Sequence, residues 1–318
     1  MLDVLLASLL SPVVLAFVLG ALAVGLRSDL EIPAPLYRSL SIYLLLAIGL
    51  KGGVALSETP LAEVAWPVVA TLGLGVLTPI TAYNVLRRLG RMDRTNAAAL
   101  AAHYGSVSAV TFIAAVTVAQ FAGVPSEGFM PALVAVLKVP AIIVGLLIAY
   151  ARGERAGSWQ SALREVVTGQ SIVLLLGGMA IGWIAGTDGV APVAPFFVTG
   201  FQGALTLFLL EMGMAAARRL RDLRSVGLFL VAFGLVVPIL HGALGVWVGG
   251  LAGLSVGGAA VLGAMVSSAS YIAAPAAVRV GLPEANPAYY LTAALGITFP
   301  FNLTLGIPLY LTLAQALG

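Results

Sequence analysis

The chain has 318 residues, of which 60% are hydrophobic and only 9% charged, and its mean hydropathy is +1.06. So few charges cannot cover the surface of a water-soluble domain of this size, and the composition places the protein in a bilayer. The net charge of +3 does not point to nucleic acid, because the cations sit in short loops between apolar runs; with no cysteine, disulfides and thiolate metal sites are excluded.

Apolar runs long enough to cross ~30 Å of hydrocarbon are expected ten times, over about 4–26, 35–56, 62–89, 95–123, 129–151, 168–186, 192–217, 223–250, 256–280 and 286–315. The first carries Asp3 in place of a basic leader, so it reads as a membrane helix and not as a signal peptide. Turn signals separate the runs: Ile32-Pro33-Ala34-Pro35, Glu58-Thr59-Pro60, Val124-Pro125-Ser126-Glu127, Thr187-Asp188-Gly189 and Leu282-Pro283-Glu284. Between them the arginines alternate strictly. Arg27 and Arg38, then Arg87, Arg88, Arg91 and Arg94, then Arg152, Arg155 and Arg164, then Arg218, Arg219, Arg221 and Arg224, and finally Arg279 all fall on one side. Positive charge stays cytoplasmic, so both termini are expected outside a bacterial inner membrane, and ten spans satisfy the alternation.

Residues 96–108 end in Gly105-Ser106-Val107-Ser108, and residues 258–270 end in Ser267-Ser268-Ala269-Ser270, with Ser106 and Ser108 recurring 162 positions later. The duplication is wider than the serines. Gly20–Gly25 answers Gly177–Gly182, Pro35 answers Pro195, Gly75–Ile80 answers Gly234–Ile239, and Pro140 answers Pro300. Five spans per half is an odd number, so the second half must insert upside down. The expected fold is an all-α integral membrane protein of ten spans in a 5+5 inverted repeat, with the fourth and ninth helices discontinuous. The first repeat covers 1–152, a cytoplasmic linker 153–167, and the second repeat 168–318. Such inverted repeats with broken helices are a transporter architecture.

A helix is interrupted in hydrocarbon only where cavity, ligand or protein satisfies the freed backbone groups. The two breaks are therefore expected to face each other near midmembrane, with the second half-helices starting at about Ser108 and Ser270. Helix starts carry roughly half a positive charge, so two of them make a small-anion site with no arginine; Gly105, Ser106, Ser108, Ser268, Ala269 and Ser270 are its candidates. The carbonyl ends of the first half-helices suit a hard cation such as sodium. Ser267, with Thr298 and Asn302 beside Pro300, would add oxygen donors; Thr81, with Thr78 and Asn84, is a weaker candidate. No Asp or Glu lies in the interiors of spans three to five and eight to ten, which disfavours sodium/proton exchange and favours sodium–anion symport.

The other polar residues read as structural. Lys51 and Glu211 anchor at membrane faces by snorkelling, with a gating role as the alternative; His103 reads as a neutral histidine bonded to a helix carbonyl, with a proton relay as the alternative; and Lys138, one turn before Pro140, reads as structural. A bare Ser-x-Ser is itself common in membrane helices, where it back-bonds to the preceding turn; its repetition at matching places is what favours function. An intramembrane serine hydrolase using Ser106 with His103 or His241 is the rival from another class, and a passive channel a third. Against the hydrolase, His103 is answered in the second half by Met265.

The run His103-Tyr104-Gly105-Ser106-Val107-Ser108-Ala109-Val110-Thr111-Phe112, the second break at Ser267–Tyr271 and Pro300-Phe301-Asn302 resemble the sodium-dependent bicarbonate transporter family, best known from cyanobacteria. The resemblance spans essentially the whole chain. It implies a homotrimer with a gate domain (1–57 and 168–220) and a mobile core (61–151 and 222–316). It implies elevator-like import of bicarbonate with sodium as coupling ion and no cofactor, Ser106, Ser108, Ser268 and Ser270 contacting bicarbonate and Thr111 lining the site. A PII-like regulator of cyanobacterial members is in doubt, because the central loop is short. Another small monocarboxylate or inorganic anion on the same scaffold is the nearest alternative.

Overall fold

The computed structural model of the protein describes residues 10–150, 159–220 and 223–318. Asp3, the start of the first expected span, Arg152, Arg155, Arg221 and the first part of the expected linker lie outside the described residues. All regular structure among the described residues is helical. In chain order the helices are α1 (Pro12–Gly25), α2 (Ala34–Glu58), α3 (Leu61–Arg88), α4 (Arg94–Gly105), α5 (Ala109–Phe121), α6 (Met130–Tyr150), α7 (Trp159–Val167), α8 (Gln170–Val190), α9 (Phe201–Leu220), α10 (Leu223–Leu251), α11 (Val256–Ser267), α12 (Ala273–Gly281) and α13 (Pro287–Leu317). Seven stretches are long and apolar enough to cross a membrane: α2, α3, the run Arg94–Phe121, α6, Gln170–Val193, Val226–Leu251 and α13; α1 and α11 are shorter apolar helices.

Local chemistry sets the ends. Ser11 caps α1 ahead of Pro12, Asp93 Oδ1 caps α4 by accepting the Asn96 amide at 2.9 Å, and Ser255 Oγ caps α11 by accepting that of Gly258 at 3.1 Å. The half-helices α4 and α11 are each twelve residues long and are followed by an extended serine, Ser106 and Ser268, whose amide turns back to the carbonyl three residues earlier.

Several boundaries depart from the sequence expectation. The expected linker holds α7, whose Leu163 and Val166 line a small cavity with Ile142 and Leu146 of α6. The sixth run does not stop at 186: Gly186 takes a left-handed φ of 63° and the helical stretch resumes to Val190. The seventh begins as short irregular turns around Pro192 and Pro195, and α9 starts only at Phe201. In α13, Pro300 withholds an amide from the ladder, and wide π turns flank it at Thr292–Thr298 and Asn302–Gly306.

Packing divides the helices. α2 lies along α8 and α1 along α9, while α3, α4 and α6 pack together and α11 lies between α10 and α13. The first two pairs are close because glycine faces backbone: a Cβ on Gly53 would stand 2.1 Å from the Met179 carbonyl oxygen, and one on Gly213 2.0 Å from that of Phe17. α4 and α11 are almost completely enclosed, whereas Trp183, Ile184, Leu228 and Trp247 are exposed on outer faces, as a lipid contact requires.

Candidate functional site

The two breaks cross and bind each other. The Ser108 amide donates to Ser268 Oγ at 2.9 Å, and that hydroxyl donates to the Met265 carbonyl at 2.7 Å. In the opposite direction the Ser270 amide donates to the His103 carbonyl at 2.9 Å. Each break thus satisfies backbone groups that the other exposes, which is how two interruptions persist in an interior from which water is excluded. Ser108 also caps the helix that follows it, and Ser270 satisfies one first-turn amide of α12. Ser108 Oγ accepts the Thr111 amide at 3.2 Å and Ser270 Oγ the Ala274 amide at 3.2 Å. The second restart lies later than expected, at Ala273, because the bond from Ser270 to His103 holds Ser268–Ile272 out of the helix.

The expected helix-start donors are therefore only partly open. The Ser108 and Ser270 amides are engaged across the breaks and the Thr111 amide by its cap. The amides of Ala109 and Val110, the first two of α5, have no partner within the helix and none among the described residues. Both residues line a cavity of about 20 Å³ with Val107, Ser108 and Ile113, Ser270, Tyr271 and Ile272 of the second break, Ser41, Leu44 and Leu45 of α2, Ser171 of α8, Phe208 of α9 and Lys138 of α6. That volume admits one or two water-sized groups, so this conformation holds the site nearly shut. A second cavity, about 150 Å³, begins on the far side of Ile113 and is lined by Lys51, Gln120, Glu127 and Gln202 among others.

Lys138 revises the sequence reading. Its side chain is 2% exposed, it lines the smaller cavity, and its carbonyl accepts Ser106 Oγ at 3.4 Å. The anion site expected without an arginine has a lysine in its lining: α6 packs against α4, with Gly145 against Ala102, and carries Lys138 to the first break. An ionisable residue at this depth is the signal that could have found it; its place just before Pro140 concealed it as kink support. Ser41, Ser171 and Tyr271 were also missed, and nothing short of the fold brings the two serines to the cavity.

The candidate sodium ligands fall into two groups. Ser267 Oγ donates to Asn302 Oδ1 at 3.1 Å and to the Ala264 carbonyl at 2.9 Å, and Asn302 Nδ2 donates to the Ser267 carbonyl at 3.3 Å. The Tyr310 hydroxyl reaches Asn302 Oδ1 at 3.4 Å. Thr298 Oγ1 donates to the Gly234 carbonyl at 2.8 Å and meets the Tyr104 hydroxyl at 2.7 Å. Ser267, Thr298 and Asn302 are all fully buried, and the π turns of α13 present the latter two. The Ser267, Asn302 and Tyr310 oxygens thus gather beside the carbonyl end of α11, and no carboxylate among the described residues bonds them. Thr81 stands elsewhere, 2.8 Å from His241 Nε2, and Thr78 and Asn84 bond the carbonyls of Leu74 and Ile80 in their own helix.

Thr111 Oγ1 is buried without a partner in the first turn of α5. Gly105 packs on Pro79, which leaves no room for a Cβ, and Ala269 is buried between Ser268 and Ser270. The histidines give the hydrolase reading no support. His103 Nδ1 donates to the Ala99 carbonyl at 2.7 Å and its ring stacks on Tyr290, while His241 faces Thr81; neither imidazole bonds a serine of either break, and His103 meets Ser270 only through its backbone carbonyl. Glu211 lies 3.7 Å from Arg218, and the Lys51 ammonium sits 4.7 Å above the Phe201 ring.

No individually curated protein gives a significant match. The sequence profile of the Na+-dependent bicarbonate transporter superfamily matches residues 12–315. The chain, a multi-pass helical membrane protein built around two interlocked helix breaks, therefore belongs to the Na+-dependent bicarbonate transporter superfamily, a family of transporters and not of enzymes.

Proposed function

We propose that the protein imports bicarbonate by sodium symport, in an elevator-like movement of a core against a gate. One observation carries this reading: two helix breaks meet back to back, and Ala109 and Val110, whose amides are unpaired, line a cavity shared by both breaks. Such donors suit a small planar oxyanion. The hydroxyl and carbonyl oxygens around Ser267, Thr298 and Asn302 suit a sodium ion next to it, and each partner offsets the other's charge. Ser106, Ser108, Thr111, Ser268 and Ser270, with Gly105 and Ala269 shaping the breaks, are the proposed substrate contacts.

The equal lengths and matching caps of α4 and α11 support the 5+5 inverted repeat, with α4–α5 and α11–α12 as its broken spans. The glycine-tight pairs α1–α9 and α2–α8 support a gate of 1–57 and 168–220, and the remaining helices a core of 61–151 and 222–316. The alternation of arginines supports an inner membrane with both termini outside, and the exposed apolar faces leave room for a homotrimer. The larger cavity, continuous with Ile113, would be the outer approach. The shortness of 153–167 still argues against a PII-like regulator docking there.

Uptake of labelled bicarbonate into proteoliposomes tests the reading. Uptake should collapse when potassium replaces sodium, and Asn302→Leu should raise the sodium concentration for half-maximal uptake roughly tenfold or more, the loss of at least one neutral oxygen ligand. Uptake that persists without sodium removes the symport, and saturation by nitrate or formate in place of bicarbonate moves the substrate to another small monoanion.

A further inference from the structure

We infer that Lys138 is a substrate-binding residue whose ammonium supplies the fixed positive charge of the anion seat; the inference rests on reading the breaks as an anion site. The observation is geometric. Lys138 is 2% exposed yet lines the cavity that Ser108, Ser270, Ala109 and Val110 also line. No carboxylate or other acceptor among the described residues bonds the ammonium. A structural lysine at this depth would be paired or would snorkel to an interface. This one lines the cavity, on a helix anchored to the first break, since the Lys138 carbonyl accepts the Ser106 hydroxyl.

An unpaired ammonium and two helix-start amides in one small enclosed space form a complementary site for a single negative charge, and the three do not compete for the same lone pairs. An oxyanion could take the amides on one oxygen and the ammonium on another. Its binding would pair a charge that no carboxylate among the described residues bonds. Lys138 stands at the position of the first half that matches Thr298 in the second, two residues before Pro140 and Pro300 respectively. The same place in the two halves would then serve the two charges of the cargo: a cationic side chain for the anion and a neutral oxygen for sodium.

Thermal unfolding of purified full-length protein in detergent, in sodium gluconate, tests this with wild type, Lys138→Met and Lys138→Arg. Each is measured alone and with bicarbonate, nitrate, formate or acetate added. Lys138→Met should unfold at a higher temperature than wild type without anion, because an unpaired buried charge is gone. It should lose the anion-dependent rise, with binding weakened on the order of a hundredfold, while Lys138→Arg keeps part of the rise. An anion shift in Lys138→Met equal to that of wild type overturns the inference, as does a Met variant less stable than wild type, which marks a structural lysine. If bicarbonate is silent but another anion shifts wild type and not Lys138→Met, the role of Lys138 stands and the choice of bicarbonate falls. If no anion shifts wild type, both fall.

Discussion

The Ser268 hydroxyl accepts the Ser108 amide and donates to the Met265 carbonyl, so a single rotor serves a donor of one break and an acceptor of the other. Ser268→Ala therefore orphans a buried amide, and an unmade bond of this kind costs about 1–3 kcal/mol. Ser108→Ala removes a cap worth about 0.5–2 kcal/mol, and Ser270→Ala one bond to a first-turn amide, worth about 0.5–1.5 kcal/mol. Ser106 reaches only the Lys138 carbonyl, at 3.4 Å, and contributes least. Unfolding temperatures in detergent should fall in that order, with Ser268→Ala lowest and Ser106→Ala near wild type. Uptake should be impaired strongly in Ser108→Ala and Ser270→Ala while both remain folded. A flat series would mean that the breaks hold together without their hydroxyls. These serines were legible because the pattern is written twice. Lys138 was not: a lone charge beside a proline looks the same in one dimension whether it braces a kink or faces a cavity, and only the packing of α6 on α4 decides.

At the scale of elements, helix limits followed the sequence wherever a cap residue fixes them. Asp93 and Ser255 open α4 and α11, and Ser106 and Ser268 close them. Limits failed where a tertiary bond overrides local preference, as when the Ser270 amide, tied to His103, delays α12. They failed too where a surface helix is short, as at α7. Helix pairing was not readable from hydropathy, because lipid-facing and partner-facing residues are equally apolar; what distinguishes them is size. Gly53→Ala on the α2–α8 contact and Gly213→Ala on α1–α9 each place a methyl inside van der Waals range of a fixed carbonyl, and such overpacking costs about 1–3 kcal/mol. Gly177→Ala, one residue from the same α8 contact but open on its outer face, should be neutral or slightly stabilising. Detergent unfolding separates these cases. Equal tolerance at all three positions would mean that the helices can part without loss.

For the molecule as a whole, the cavity between the breaks, about 20 Å³, is too small for an oxyanion of four heavy atoms unless its walls separate. Those walls come from two groups of helices. Leu44, Leu45 and Phe208 belong to α2 and α9, whereas Val107, Val110 and Lys138 belong to the first break and its neighbours α5 and α6. If the first group is the gate and the second the core, every transport cycle must slide one past the other at this wall, and a link across it must stop the cycle without destroying the site. Since the chain has no native cysteine, the test has a clean background. A Leu44→Cys/Val110→Cys double variant, treated with bifunctional thiol reagents of graded length, should lose uptake in proportion to the fraction cross-linked, and a cleavable linker should restore it on reduction. Each single-cysteine variant, exposed to the same reagents, should keep transporting. Full cross-linking that leaves uptake intact would place the moving boundary elsewhere in the fold. Inactivation of a single variant would point to blockage of the cavity in place of arrested motion.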